Sequence, residues 1–201
     1  MALAKTEFEL KLVGPASDVA AVPSFGWLKE DALGPGDWSR LVTTYVDSAD
    51  RRLHAAGLSL RIREEAGVRT LSAKVSRSGA GAILRVETER VLDGSDASFV
   101  TGVGEIDEII GLRPDDLVLI ARTVTDRWTV LTSKLGALVE VSAEIGYAKT
   151  FGAAPRTSPI AEVELELLRG DGSALFVLAE RFIEAGRVAH TVAQLAPFYW
   201  L

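Results

Sequence analysis

Alternation of apolar and polar side chains with a period of two is the feature that most constrains the fold of this chain. It recurs in eight segments: Thr6–Val13, Trp38–Asp47, Leu58–Glu65, Arg69–Val75, Ile83–Leu92, Thr125–Thr132, Ala137–Tyr147 and Ser158–Leu168. This period is typical of β-strands with one buried face, and loops rich in Gly, Pro and Asp separate the segments. The sequence predicts a mainly β fold, with an antiparallel sheet that closes into a barrel or forms a sandwich.

Helices are fewer in the predicted fold. Ser173–Ala185 carries an apolar stripe and is followed by Gly186, which predicts a helix. Pro114–Val124 opens with Pro-Asp-Asp and is predicted as a second helix. Segments 15–31 and 48–56 have weaker helical patterns, and Pro23 interrupts the first. We expect these helices to flank the sheet.

Composition excludes several kinds of site and partner. The 201 residues include no cysteine and two histidines, which excludes disulfides, thiolate metal sites and zinc sites built on several histidines. The formal net charge of −6 argues against nucleic-acid binding. No apolar run approaches about 18 residues and no signal peptide is present, so we expect a cytoplasmic protein. With no linker-like segment, residues 1–201 are predicted to form one domain.

Several of the alternating segments carry charge on their polar face. The clearest is "IAEVELELL", where Glu162, Glu164 and Glu166 share a face opposite apolar residues. A half-solvated sheet explains any one such strand. Rows of like charge on several strands, however, need counter-ions. The other charged positions on these faces are Glu7, Glu9, Lys11, Arg61, Arg63, Lys74, Arg85, Glu87, Glu89, Glu140 and Glu144.

The two signs of charge suit two halves of one ligand. Carboxylate oxygens are the ligands that Mg²⁺ takes, and this metal commonly bridges to substrate phosphates. Guanidinium groups bind phosphate oxygens with paired hydrogen bonds. A barrel of about eight strands can hold one small ligand. The pattern therefore predicts a charged barrel interior that binds a metal-bridged polyphosphate.

Five blocks of the chain, in order, resemble the CYTH proteins, also called triphosphate tunnel metalloenzymes. "EFELK" resembles the Glu-x-Glu-x-Lys signature of that family, and "YVDSAD" followed by "GLSLRIREEAGVRTLSAKV" resembles its next block. "RVETE" and "AEVELEL" resemble its later acidic strands. The similarity extends over essentially the whole chain and is nearest to the bacterial inorganic triphosphatases. In those proteins a helical CHAD domain often follows, so a longer protein with such a domain is one alternative.

The resemblance implies a fold, a reaction and a set of site residues. The fold would be an eight-stranded antiparallel β-barrel forming a charged tunnel, and the reaction would be cleavage of a triphosphate with Mg²⁺ or Mn²⁺. Phosphate-binding residues would be Lys11, Arg61, Arg63, Lys74 and Arg85. Metal ligands would be Glu7, Glu9, Glu164 and Glu166, with Glu140 and Glu144 at positions where the family has acids. Glu87, Glu89 and Glu162 would lie near the metal or position water, and Lys11 belongs to this catalytic group as well.

The chain departs from the family pattern at two places. Thr125 stands where the family tends to have an arginine, with Arg127 or Arg122 as substitutes, and parity favours Arg127 as a phosphate ligand. Near the C-terminus, Gln194 and Pro197 replace a lysine and an arginine. Loss of these bases would weaken hydrolysis, change the substrate or leave a binding domain.

Several functions therefore stay open at this point. Hydrolysis of inorganic triphosphate is the first expectation, and thiamine triphosphatase or CYTH-type adenylate cyclase is a second enzyme in the same fold. A module that binds polyphosphate or a nucleotide without turnover is the alternative from another class. We expect a small-molecule triphosphate or polyphosphate as partner, with no nucleic acid and no membrane. The oligomeric state is open.

Overall fold

Antiparallel β-strands make up most of the part of the chain that the structure describes. The structure is a computed structural model describing residues 5–6, 8–79, 82–92 and 116–185, with side chains for 8–74, 89–92 and 116–185. The strands are β1 Lys5–Thr6, β2 Glu9–Val13, β3 Asp37–Ser48, β4 Leu58–Glu65, β5 Val68–Gly79, β6 Ala82–Leu92, β7 Leu117–Lys134, β8 Ala137–Thr150 and β9 Thr157–Arg169. All eight predicted strands are confirmed, the first of them divided into β1 and β2.

The strands form a single curved sheet. They pair in the order β1-β6-β5-β4-β3-β7-β8-β9-β2, and every neighbouring pair is antiparallel. The two edge strands, β1 and β2, are separated by only two residues of chain, a length that spans at most about 10 Å. The two edges of the sheet therefore lie side by side, and the sheet curls into the predicted antiparallel barrel.

The predicted helix over Pro114–Val124 is wrong. Its described part from Leu117 onward belongs to β7, where Leu117 pairs with Ser48 of β3 and Val124 pairs with Tyr147 of β8. The apolar run "LVLIA" fits a buried helix and a buried strand equally well, since periodicity does not separate them. β3 supplies backbone partners from Leu117 onward and β8 joins from Ala121, and this pairing decides for the strand.

In the part of the chain that the structure describes, four helices accompany the sheet: α1 Ala16–Ala21, α2 Gly26–Asp31, α3 Arg52–Ala55 and α4 Ser173–Glu184. A 3-10 turn at Val22–Ser24 contains Pro23 and separates α1 from α2. Helix α4 confirms the predicted helix, and the two weaker segments each contain helical turns. Helices α1, α2 and α4 contact the β2, β7, β8 and β9 side of the barrel, while α3 contacts β3 and β4. No helix in the described ranges is long and apolar enough to cross a membrane.

The hydrophobic core lies outside the barrel wall. One cluster joins the outer face of the sheet to the helices and includes Leu12, Val139, Val163, Leu175 and Phe182. A second, on the other side of the barrel, includes Val46, Leu53, Leu58, Leu60 and Leu71. Along the strands, most residues of these clusters alternate with polar residues on the opposite face. The apolar half of the sequence pattern is therefore used to attach helices to the barrel.

An ion pair on the outer face ties three elements together. Asp31 at the end of α2 accepts hydrogen bonds from Lys134 Nζ of β7 at 2.8 Å and from Arg181 Nη1 of α4 at 2.5 Å. The Lys134 hydrogen bond, opposed by burial and supported by Arg181, lowers the pKa of Asp31. The Arg181 guanidinium lies 4.4 Å from the ring centroid of Trp27, a cation–π contact. This contact network fastens α2 and α4 to the barrel.

Candidate functional site inside the barrel

The polar face of each strand points into the barrel. Lys11 of β2 lies opposite Glu164 of β9, and each has as chain neighbour a fully buried residue of the outer core, Leu12 and Val163 respectively. Successive side chains of a strand point to opposite faces of the sheet. Since Leu12 and Val163 are covered by helices on the outside, Lys11 and Glu164 extend inward.

Six glutamates occupy the inner face of three adjacent strands, and we call this set the acidic wall. Its members are Glu9 of β2, Glu140 and Glu144 of β8, and Glu162, Glu164 and Glu166 of β9. Glu166 lies opposite both Glu9 and Glu140, and Glu162 lies opposite Glu144. Directly opposed residues have Cβ atoms about 5 Å apart. Carboxylates this close repel each other unless cations lie among them.

Lys11 and Arg127 each contact two glutamates of the acidic wall. Lys11 Nζ lies 2.8 Å from Glu162 Oε1 and 2.5 Å from Glu164 Oε1. Arg127 of β7 donates to Glu144 Oε1, and its Nη2 donates to Glu164 Oε2 at 2.9 Å. Both oxygens of Glu164 therefore contact a cation, one from each side.

The pKa values of Lys11, Glu162 and Glu164 follow from burial and from the ion pairs among these side chains. Burial opposes ionisation of Glu164, but Lys11 and Arg127 outweigh it and hold the pKa of Glu164 well below its usual range. Burial likewise opposes the charge of Lys11, and Glu164 and Glu162 nevertheless raise the pKa of Lys11. At Glu162 burial dominates over Lys11, so the pKa of Glu162 is raised. The charged forms of Lys11 and Glu164 are thus favoured by the fold.

The opposite side of the barrel carries cations, and we call Arg61, Arg63 and Lys74 the basic wall. Arg61 and Arg63 of β4 lie opposite Tyr45 and Thr43 of β3. Burial and the nearby charges of Arg61 and Arg127 lower the pKa of Arg63. Its Nε is buried with no hydrogen-bond partner among the described residues. A crowded, desolvated guanidinium of this kind is complementary to an anion.

Strand β6 adds the remaining predicted positions. The exposed Glu89 accepts a hydrogen bond from Ser72 Oγ at 2.9 Å. Glu87 lies opposite Lys74 and Arg85 lies opposite Ser76 in the strand register, but their side chains are outside the described set. Glu7, Gln194 and Pro197 also lie outside the described residues.

The structure distinguishes the two predicted substitutes for the family arginine. Arg127 shares the inner face with the buried Thr125, whereas Arg122 is an exposed residue of the opposite parity. Thr125 lies opposite Gly146, where a Cβ atom would come within 2.0 Å of the Val124 carbonyl oxygen. Strands β7 and β8 approach each other closely here, and the two opposed residues, Thr125 and Gly146, are both small.

Neutral polar residues between the two walls were missed by reasoning on charge alone. Thr43 and Tyr45 of β3 separate the basic wall from β7, and Thr129 Oγ1 lies 3.1 Å from Ser142 Oγ between β7 and β8. Thr43 and Tyr45 are two residues apart in "SRLVTTYV", so the period of a strand places both hydroxyl groups on one face, and this spacing was the signal that could have found them.

The acidic wall provides the donor chemistry of a Mg²⁺ or Mn²⁺ site. Carboxylate oxygens on adjacent strands are hard ligands of the kind these ions take. Across the described ranges, however, no three acidic or histidine side chains are already arranged to hold a metal ion. Glu144, Glu162 and Glu164 instead contact Arg127 or Lys11. The residues fit the metal by their chemistry, with protein cations bound at the same carboxylates.

Comparison with known proteins identifies the family. A proposed adenylate cyclase from Bacillus halodurans has a similar structure, with a TM-score of 0.64 and 18% identity over 98% of each chain. The proposed adenylyl cyclase HpAC1 from Hippeastrum, described as having a dominant triphosphatase activity, matches with a TM-score of 0.62 and 18% sequence identity. The match covers 96% of this chain and 93% of HpAC1. The PH1819 protein from Pyrococcus horikoshii matches with a TM-score of 0.53 and 16% sequence identity, over 92% of this chain and 94% of PH1819. No curated protein matches the chain in sequence. The CYTH domain matches residues 7–191, and the chain therefore belongs to the CYTH family.

Proposed function

We propose that this protein hydrolyses a triphosphate inside the barrel with the help of Mg²⁺ or Mn²⁺, and that inorganic triphosphate is its preferred substrate. Membership of the CYTH family, whose domain binds triphosphates with a divalent metal, supports the reaction class. The observation that carries the proposal is the half-buried Arg63, whose buried Nε has no hydrogen-bond partner among the described residues and which faces the acidic wall across the barrel.

The basic wall provides the phosphate-binding half of the proposal. Burial and the charges of Arg61 and Arg127 disfavour the charged form of Arg63, so an anion there would relieve both effects. A triphosphate carries several negative charges in a short chain, and guanidinium groups bind its oxygens in pairs. Lys74 of β5 lies on the same face as Arg61 and Arg63 of the adjacent strand β4, and it extends the positive surface along the barrel. Arg85 would join this set from β6.

The acidic wall provides the metal-binding half. Glu9, Glu140 and Glu166 are in register on three adjacent strands, and with Glu164 they would hold the ion, assisted by Glu7 and Glu144. When bound, the metal would neutralise charge on phosphate oxygens and thereby favour cleavage.

The chain's own residues would mainly position the reactants. Phosphoryl transfer depends on positioning and charge neutralisation more than on covalent catalysis. Arg61, Arg63 and Lys74 would hold the phosphates. Lys11, which lies beside Glu162, would bind the terminal phosphate. Glu162, with Glu87 and Glu89, would orient the attacking water. Water adds to the terminal phosphorus, the bridging P–O bond breaks, and pyrophosphate and phosphate leave.

A binding module without turnover is the second candidate function. The buried Thr125 has no charge where the family tends to have an arginine, and Arg127 on the same face is held by Glu144 and Glu164. Both features reduce the positive charge that is ready to stabilise a transition state. A polyphosphate could then bind at the basic wall without being cleaved.

Phosphate release from inorganic triphosphate with Mn²⁺ tests the proposal. Arg63→Gln should weaken triphosphate binding about 30-fold, because loss of a charged hydrogen bond costs about 2 kcal/mol. The matched control is Arg40→Gln, which removes an exposed arginine paired with Asp126. Adenosine and thiamine triphosphates serve as alternative substrates, and formation of cyclic AMP would indicate a cyclase.

The outcomes separate the candidates. Binding of triphosphate without phosphate release would support the binding module, and release that is equal in Arg63→Gln and wild type would contradict the assignment of the basic wall. Affinity should also fall as salt rises, since charge interactions are screened over about 8 Å at physiological ionic strength.

A further inference from the structure

We infer that Lys11 and Arg127 are internal counter-ions that compete with the metal, and that binding of phosphate favours the metal by drawing Arg127 away from the acidic wall. The inference deepens the proposed function and rests on it for the identity of the anion. It concerns the order in which charges assemble in the barrel.

The contacts of Glu164 carry the first step. Its Oε1 contacts Lys11 Nζ at 2.5 Å, and its Oε2 accepts a hydrogen bond from Arg127 Nη2 at 2.9 Å. A Mg²⁺ ion lies about 2.1 Å from a ligand oxygen, so an ion on Oε1 would lie within about 5 Å of the Lys11 nitrogen. Like charges at that distance in a partly desolvated interior repel strongly. The metal and the protein cations therefore exclude each other at this carboxylate.

The neighbouring carboxylates are held in the same way. Glu162 contacts Lys11 at 2.8 Å, and Glu144 contacts Arg127. Two cations thus engage three of the six glutamates of the acidic wall. In the described ranges, no three acidic or histidine side chains are arranged to hold a metal ion.

The basic wall supplies the reason for Arg127 to move. Arg63 of β4 and Arg127 of β7 lie on the two strands that flank β3, both on the inner face of the barrel. The charge of Arg127 also contributes to the lowered pKa of Arg63. A phosphate bound at Arg63 would therefore lie within the electrostatic reach of Arg127. It would offer that side chain an anionic partner in exchange for Glu164. Metal and phosphate would then each favour binding of the other.

An opposite role for the same contacts makes the inference testable. If Lys11 and Arg127 position the carboxylates for the metal, removing either cation will weaken metal binding. If they compete with the metal, removing either will strengthen it. The sign of the change in metal affinity distinguishes the two roles.

The experiment titrates Mn²⁺ alone into the metal-free full chain, with free Mn²⁺ measured by electron paramagnetic resonance. Lys11→Gln and Arg127→Gln should each bind Mn²⁺ about tenfold more tightly than wild type, a typical size for coupling between sites. Lys134→Gln is the matched control. It removes a cation from an ion pair of 2.8 Å on the outer face and changes the net charge equally, so its affinity should stay within about twofold of wild type.

Thermal unfolding with and without Mn²⁺ covers the case in which a variant is unstable. Both inner-face variants should gain more melting temperature from Mn²⁺ than wild type and Lys134→Gln do, because the metal replaces the missing cation. Equal or weaker Mn²⁺ affinity, or an equal or smaller gain in melting temperature, would overturn the inference.

The measurement separates this inference from the proposed function. It uses no phosphate, so a protein that fails to bind or cleave triphosphate still reports whether Lys11 and Arg127 compete with Mn²⁺. Conversely, triphosphatase activity with unchanged Mn²⁺ affinity in both variants would leave the proposed function intact and refute the counter-ion exchange.

Discussion

Replacing Glu164 with glutamine tests whether the ion pairs of Glu164 with Lys11 and Arg127 stabilise the barrel. Glu164 accepts hydrogen bonds or ion-pair contacts from Lys11 and Arg127 on separate oxygens, and together they hold its pKa below the usual range despite burial. The negative charge is therefore favoured in the folded state, and removing it should destabilise the protein in the absence of metal.

The magnitude follows from the two contacts and the exposure of the side chain. A hydrogen bond between charged groups contributes about 1.5–3 kcal/mol, so two of them set an upper limit of about 6 kcal/mol. Glutamine keeps one acceptor oxygen and nearly the same volume, and the Glu164 side chain is 20% exposed, so water screens part of the interaction. We expect Glu164→Gln to lower the free energy of unfolding by about 2 kcal/mol, or the melting temperature by about 4–8 °C.

Urea unfolding at pH 7 with a chelator present measures this change. The control is Asp126→Asn, which breaks an exposed ion pair of 3.1 Å with Arg40 and should change the free energy of unfolding by less than about 0.5 kcal/mol. If Glu164→Gln is as stable as this control, or more stable than wild type, repulsion among the glutamates outweighs the ion pairs and the counter-ion account fails.

Three further predictions concern pH, a helix cap and a close contact between strands. The free energy of unfolding should decline as pH falls below about 4.5, the ordinary pKa of a glutamate. The depressed pKa of Glu164 stabilises the folded state above that pH, and protonation removes this contribution. Urea unfolding from about pH 6 to 3 should therefore show a shallower decline in Glu164→Gln than in wild type. Asp47→Ala should lower stability by about 3 kcal/mol in urea unfolding, since the buried carboxylate accepts hydrogen bonds from three backbone N–H groups before and within α3, whereas Asp47→Asn should lose about half as much. Gly146→Ala should lower stability by about 2–3 kcal/mol, because its Cβ would meet the Val124 carbonyl oxygen, while Gly26→Ala, with open space around it, should have little effect in the same assay.

Alternation along the strands made much of the barrel predictable from the sequence. It assigns a face to each side chain, so it placed Lys11, Arg63 and Glu164 on polar faces before any pairing was known. It does not give the register between strands. The contact of Lys11 with Glu162, which is 151 residues away, depends on the pairing of the N-terminal segment with β9. The ion pairs of the site therefore required the structure.

The start of β7 shows the other limit of local reasoning. Pro-Asp-Asp before an apolar run is a common way to begin a helix, and nothing within 114–124 argues against one. Pairing with both β3 and β8 overrides this local preference, because a strand between two neighbours satisfies its backbone groups on both sides. Parity within the same strand nevertheless places Arg127, and not Arg122, on the inner face.

Placement of the apolar core beneath the helices, outside the wall, has a consequence for how such a protein can change. Residues that hold the fold together and residues that face the ligand alternate along the same strands, as Leu12 follows Lys11 and Val163 precedes Glu164. Exchange of one charged inward side chain for another of similar size leaves the apolar contacts of its outward-facing chain neighbours in place. New chemistry could therefore be selected in the tunnel one side chain at a time while the scaffold stays the same.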